Sequence, residues 1–289
     1  MSLTSEYTTP LQGTPYYRNV GIIKAFDQSG AEYCVGEISH ERFDDQNFQY
    51  VLSPYWEQIP YLSQQVFSGL PGFDLSVKRD HYYRVNITPA FIQMRTPSES
   101  REDLWELLTE VGLDYYDRFE WLLRSQKRCG DDNLIVVRKR ENQQFSISTT
   151  GLDFNNLYPG DSVSLDYLYD VATSNNEFSK CVYRLLVNGV NIYISKEDRW
   201  LTPMERRAML YLLCNMQTYN ENYAKIRQAQ GIHRAKEAGK YHGRSRISID
   251  PLLFKEVADR FKAGELSEEE ALRTLNLTRS TFYRRLREL

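Results

Sequence analysis

The chain has 289 residues, a net charge of −3, four cysteines, and 41% hydrophobic and 13% aromatic content. That length has room for two domains and a small third module, with enough apolar side chains for real cores. No apolar run approaches membrane-spanning length and the amino end does not read as a signal peptide, so no membrane partner is expected and the location is expected to be cytoplasmic.

Residues 1–140 read as a mixed α/β domain. GIIKAF and EYCVGEI, separated by Asp27-Gln28-Ser29-Gly30, predict a β-hairpin, and FQYVL predicts another strand. WEQIPYLSQQVFSGL predicts a short helix closed by Pro71-Gly72, and HYYRVNI a strand. A helix with Leu104, Trp105, Leu107 and Leu108 is expected between Ser100 and Gly112. A second follows Asp114 with Tyr115, Phe119, Leu122 and Leu123 inward, before the strand NLIVVRK. Aromatic residues are dense here, among them Tyr50, Trp56, Tyr82, Trp105 and Trp121. The segment is net acidic and would repel a polyanion, so these rings suit packing, a protein partner or a small ligand better than nucleobase stacking.

Cys34, Cys129, Cys181 and Cys214 lie far apart, and His40, His81, His233 and His242 show no ligand spacing, so neither a metal nor a cofactor is expected. No glycine-rich phosphate loop, GxSxG elbow or HExxH appears.

From Pro203 to Gly239 the sequence reads as one long helix, with Met209, Leu213, Met216 and Tyr223 as an apolar seam. A dimer interface and packing inside one chain are both compatible with that seam. The last stretch is basic: residues 221–289 hold 15 Lys+Arg against 10 Asp+Glu, whereas the rest holds 21 against 29. Within 240–289, three apolar-periodic segments are cut at turn residues. Pro251 opens the first and Gly264 ends it; Ser267 caps the second and Thr278 the third. The expected inward faces are Leu253, Val257 and Phe261, then Ala271 and Leu275, then Phe282 and Leu286, with Leu277 in the turn. The polar face of the third helix carries Thr278, Arg279, Ser280, Thr281, Tyr283, Arg284, Arg285 and Arg287. Hydroxyls and guanidinium groups at a helix start match an anionic duplex, because such a helix enters the major groove with its dipole favouring phosphate.

QGIHRAKEAGKYHGRSR followed by LNLTRSTFYRRL resembles the carboxyl-terminal region of the serine recombinases, the resolvase and DNA-invertase family. The resemblance implies a minor-groove arm, here Gly243, Arg244 and Arg246, followed by a helix-turn-helix. Two departures occur: Ala271 and Leu272 stand in swapped order, and Asn276 replaces the turn glycine, which asparagine can do because it tolerates the left-handed conformation. The resemblance extends upstream to about Leu157, with Gly160-Asp161 before a core strand VSLDYLY, a helix over Asn175 to Val187 and a strand over Gly189 to Ile194. It implies that the long helix carries a homodimer interface. The expected architecture is α/β: a mixed α/β domain over 1–140 outside the resemblance, a truncated resolvase-like α/β domain over 141–239, and a trihelical helix-turn-helix over 240–289.

The family's chemistry needs a serine nucleophile and an arginine cluster. Its Leu-Asp-Arg-Leu-Gly-Arg signature falls on Leu168, Tyr169, Asp170, Val171, Ala172 and Thr173, so both guanidinium groups are replaced; only Asp161 and Arg227 persist. The nucleophile's strand has two candidates without the serine: Tyr82-Tyr83-Arg84-Val85-Asn86, and Ile135-Val136-Val137-Arg138 with Arg140 in the serine's place. Ser146, Ser148, Thr149 and Thr150 lie nearby. The expectation is therefore no catalytic residue, and a sequence-specific binder of double-stranded DNA with a regulatory or architectural role. Two alternatives stand: an active recombinase with a displaced nucleophile, and an amino-terminal enzyme or toxin-like module located by a DNA-binding tail.

Overall fold

In the computed structural model, residues 9–146, 152–240, 247–287 and 289 are described. β1 (Tyr17–Phe26) and β2 (Glu32–Arg42) form the expected hairpin. Its turn is closed by Asp27, whose Oδ1 accepts from the Ser29 and Ala31 amides at 2.8 and 3.0 Å. β3 (Phe48–Pro54), β4 (Tyr82–Val85) and β5 (Leu134–Arg138) complete an antiparallel sheet in the order β4-β3-β2-β1-β5. Alternate residues serve different cores: Ile23 and Val136 enter the main one, while Ile22, Cys34, Ile135, Val137 and Tyr158 form a second. Both faces being covered accounts for the unbroken apolar run of β5.

α1 (Ala90–Gln93), α2 (Leu104–Glu110) and α3 (Arg118–Ser125) follow β4. α3 starts later than expected, because Asp117 rather than Asp114 caps it by accepting from the Glu120 amide at 2.8 Å. Tyr115 is consequently exposed ahead of the helix, and Trp105 points outward from α2. Gly21 lets α3 lie close to β1: a Cβ there would stand 2.8 Å from Leu123 Cδ2 and 2.5 Å from Val136 Cγ1. The helix expected over WEQIPYLSQQVFSGL is absent except for a single 3-10 turn, Ile59–Tyr61. Val66, Phe67, Leu70 and Phe73 are buried, but Leu62, at φ −86° and ψ 141°, is extended and ends the helical turn.

β6 (Gln144–Ser146), β7 (Ser162–Leu165), β8 (Asn191–Ile194) and β9 (Arg199–Trp200) form a second sheet in that order, parallel except for β9. α4 (Asn175–Val187), capped by Ser174, is the crossover between β7 and β8. The strand expected over VSLDYLY stops at Leu165; Leu168–Val171 is a 3-10 turn in which Asp170 accepts from the Tyr167 amide at 2.8 Å. α5 (Pro203–Glu237) is the long helix, two residues shorter than expected at its end.

Residues up to Asn220 form one unit and those from Glu221 a second. Within the first, one core runs from Ile23 and Leu52 through Leu122 to Val163, Leu185, Ile192 and Leu210, so no break between cores falls at residue 140. Hydrogen bonds tie the first sheet and the turn at Ile59–Tyr61 to α4 and to the 3-10 turn Phe154–Asn156. The Asn188 side chain accepts from the Cys34 amide at 2.8 Å, Lys24 Nζ donates to the Asn155 carbonyl at 2.6 Å, and the Tyr183 hydroxyl to the Tyr61 carbonyl at 2.8 Å.

The second unit contains α6 (Pro251–Lys262), α7 (Glu268–Leu275) and α8 (Arg279–Leu286). Asp250 caps α6 ahead of Pro251, and Ser267 with Glu270 forms a capping box on α7. The core is Phe254, Val257, Ala258, Ala271, Leu275, Leu277 and Phe282. Phe254, not the expected Leu253, faces inward on α6, because Phe254 and Phe261 both meet Phe282 edge-on, at 6.0 and 5.3 Å.

Candidate nucleic-acid interface

The three residues between α7 and α8 aim the latter. Asn276 adopts φ 46° and ψ 49°, as its amide side chain permits, and Leu277 turns into the core. Thr278 stands at the cap position of α8, but its side chain makes no hydrogen bond to the helix backbone; its Oγ1 lies 2.9 Å from Thr281 Oγ1 and 3.4 Å from Ser280 Oγ. With Phe282 fully buried and Leu286 half-buried on one side, Ser280, Arg284 and Arg287 fall on the opposite, exposed side at helical spacing.

The other residues expected to contact DNA are placed differently. Arg279 is exposed and forms an ion pair with Glu268, its Nε lying 2.7 Å from Oε1. The Tyr283 hydroxyl donates to the other oxygen of the same carboxylate at 3.2 Å. Arg285 is half-buried and donates to the Ile247 carbonyl, tying the segment ahead of α6 to α8. Thr281 is half-buried. Gly243, Arg244 and Arg246 lie outside the described residues. Sequence reasoning missed Glu268, since an acidic residue in a first helical turn is ordinarily explained by the helix dipole alone.

Along α5, Met209 and Leu213 are half-buried against the first unit's own core and Leu210 is buried, whereas Met216 and Tyr223 are about half exposed. The four expected seam residues therefore do not share one environment. A different set is exposed: Leu212, Met216, Tyr219, Tyr223 and Ile226, at alternating steps of four and three.

At the positions aligned with the family's chemistry, Asp161 is fully buried. It accepts from Arg140 at 2.9 and 2.8 Å and from the Gln143 and Tyr158 amides at 2.8 Å each. Burial alone would raise its carboxyl, but these bonds outweigh it and hold it below the usual range. Arg140, the residue in the serine's place in one alignment, is thus the partner of Asp161. Both candidate nucleophile strands, β4 and β5, belong to the first sheet rather than to the parallel one. Tyr169 stacks on Tyr167 at 5.0 Å, and Thr173 bonds Glu177. Arg227 packs against the Tyr223 ring at 5.8 Å. Ser146 is exposed at the end of β6, while Ser148, Thr149 and Thr150 lie outside the described residues. Among the described residues, no group of three His, Cys, Asp or Glu is placed to hold a metal, and no helix is long and apolar enough to cross a membrane.

The first unit also holds an open cleft of about 680 Å³, lined by Trp56, Phe67, Phe73, Met94, Asp74 and Asp131 among others. No protein-family model and no curated protein matches the chain.

Proposed function

We propose that the chain is a homodimeric, sequence-specific binder of double-stranded DNA, related to the serine recombinases over about residues 157–289 and lacking their phosphoryl-transfer chemistry. The observation that carries this reading is the Ser280–Arg284–Arg287 ridge, exposed on a helix whose opposite side is anchored by Phe282. A helix presented in this way after a tight turn has the geometry of a recognition helix in a helix-turn-helix. The excess of cations over residues 221–289 supplies the attraction to phosphate. Homodimerisation is supported by the exposed apolar positions of α5, whose four-three steps match a coiled-coil seam. The role is regulatory or architectural, and the aromatic-lined cleft of the first unit suits a small ligand or a protein partner.

Electrophoretic mobility shift and footprinting with the full-length protein test the assignment. Arg284→Ala is expected to weaken binding by roughly 5- to 100-fold if it reaches a base, an order of magnitude taken from bidentate base contacts. A chain deleted after residue 239 is expected to lose site-specific protection. Equal binding by the intact and deleted chains overturns the reading.

A further inference from the structure

Within the proposed DNA interface, we infer that Glu268 is a positioning residue that holds Arg279 for recognition of a guanine in the major groove; this rests on the DNA-binding reading above. Arg279 is the first residue of α8, where side chains of a recognition helix meet base edges. Glu268 is the first residue of α7, and its carboxylate divides between two residues of α8. Oε1 lies 2.7 Å from Arg279 Nε in an ion pair, and Oε2 accepts from the Tyr283 hydroxyl at 3.2 Å. Tyr283 is half-buried, and the Arg279 guanidinium carbon lies 5.9 Å from the centre of its ring. The carboxylate is therefore held by the hydroxyl of a half-buried tyrosine and sits against the guanidinium on its Nε side.

The side on which the carboxylate approaches decides what Arg279 can do next. A guanidinium recognises guanine through its two terminal nitrogens, which donate in parallel to O6 and N7. A carboxylate that took those nitrogens would compete with a base, whereas one on Nε leaves the fork pointing onward and restricts its rotation. Lysine could supply the charge but not the fork. A carboxylate near a duplex also carries a cost, because it repels phosphate. Glu268 consequently acts on base choice more than on general affinity, and its removal separates the two.

The experiment is selection by the full-length protein from a randomised duplex library, comparing the unchanged chain with Glu268→Ala, Arg279→Lys and Arg279→Ala. Melting of each variant and retention of the contacts from Ser280 and Arg284 in footprints verify that the bundle stays folded. The unchanged protein is expected to enrich guanine at one position in each half-site. Glu268→Ala and Arg279→Lys are both expected to flatten that position by about tenfold, within the range for a bidentate contact, while leaving the other positions as they were. Binding to random duplex is expected to hold or to tighten in Glu268→Ala. If Glu268→Ala tightens binding to all sequences and keeps the guanine, Glu268 is only a repulsive charge and the inference is overturned. If Arg279→Lys keeps the guanine, the base is read elsewhere, with the same consequence. An unchanged chain that enriches no sequence defeats the DNA-binding reading itself, an outcome distinct from either.

Discussion

His40 provides a pH-dependent test of the first unit's core. Its ring is almost fully buried on β2, stacked 4.6 Å from Tyr50 and edge-on to Tyr17, Phe48 and Phe119 at 5.7 to 6.1 Å. Its Nδ1 has no hydrogen-bond partner. Burial lowers its pKa from 6.5 to about 4; Asp117 and Glu41 oppose that shift and Arg42 adds to it. Because the folded value is the lower one, the unfolded chain binds the proton first as pH falls, and stability is lost from about pH 6.5 down to about pH 4. At about 1.4 kcal/mol per pH unit well inside the window, the loss between pH 7.5 and 5 amounts to about 2 kcal/mol. Glu120 destabilises in the same direction only lower down. Burial raises its carboxyl, but Arg138, Arg124 and Asn19 outweigh that and hold it at about 2. The assay is urea unfolding followed by tryptophan fluorescence, since Trp56, Trp105, Trp121 and Trp200 all lie in the first unit. In His40→Phe the ring remains without a titrating group, and the midpoint is expected to stay level between pH 7.5 and 5. A variant that keeps the unchanged protein's slope, or an unchanged protein with none, refutes the argument.

Leu212→Glu, at an exposed α5 position, is expected to shift the protein from dimer to monomer in sedimentation; a monomer at micromolar concentration before any substitution defeats the dimer proposal. Leu213→Glu is expected instead to lower the melting temperature, because that side chain packs on its own unit. Incubation with supercoiled DNA carrying a bound site is expected to yield no protein attached to a broken strand, since Tyr169, Asp170 and Thr173 provide no guanidinium to hold the developing charge. An adduct lost on Ser146→Ala restores the active-recombinase alternative.

Much of the local structure was legible in sequence because its causes are local. While the bounds expected for α4 come from the resemblance, Pro203 marks the start of α5, and Ser267 and Asn276 mark both ends of α7. Each depends on hydrogen bonds or backbone preferences within a few residues. The same locality misled in two places. The turn signal at Pro71-Gly72 suggests a helix before it that the extended Leu62 interrupts, and Leu253 reads as inward in sequence where the aromatic partners favour Phe254. Partners distant in sequence were decided only by the tertiary structure. Asn188 reaches Cys34 and Lys24 reaches Asn155, tying the first sheet to residues beyond 140 that the sequence reading placed in a separate domain. Packing of Met209 and Leu213 divided the apolar residues of α5 between an internal contact and an exposed stripe, a distinction amphipathicity alone does not contain. The Glu268 carboxylate became part of the candidate site for the same reason: α7 and α8 pack through a shared core, and that packing brings an acidic residue to 2.7 Å from Arg279 Nε.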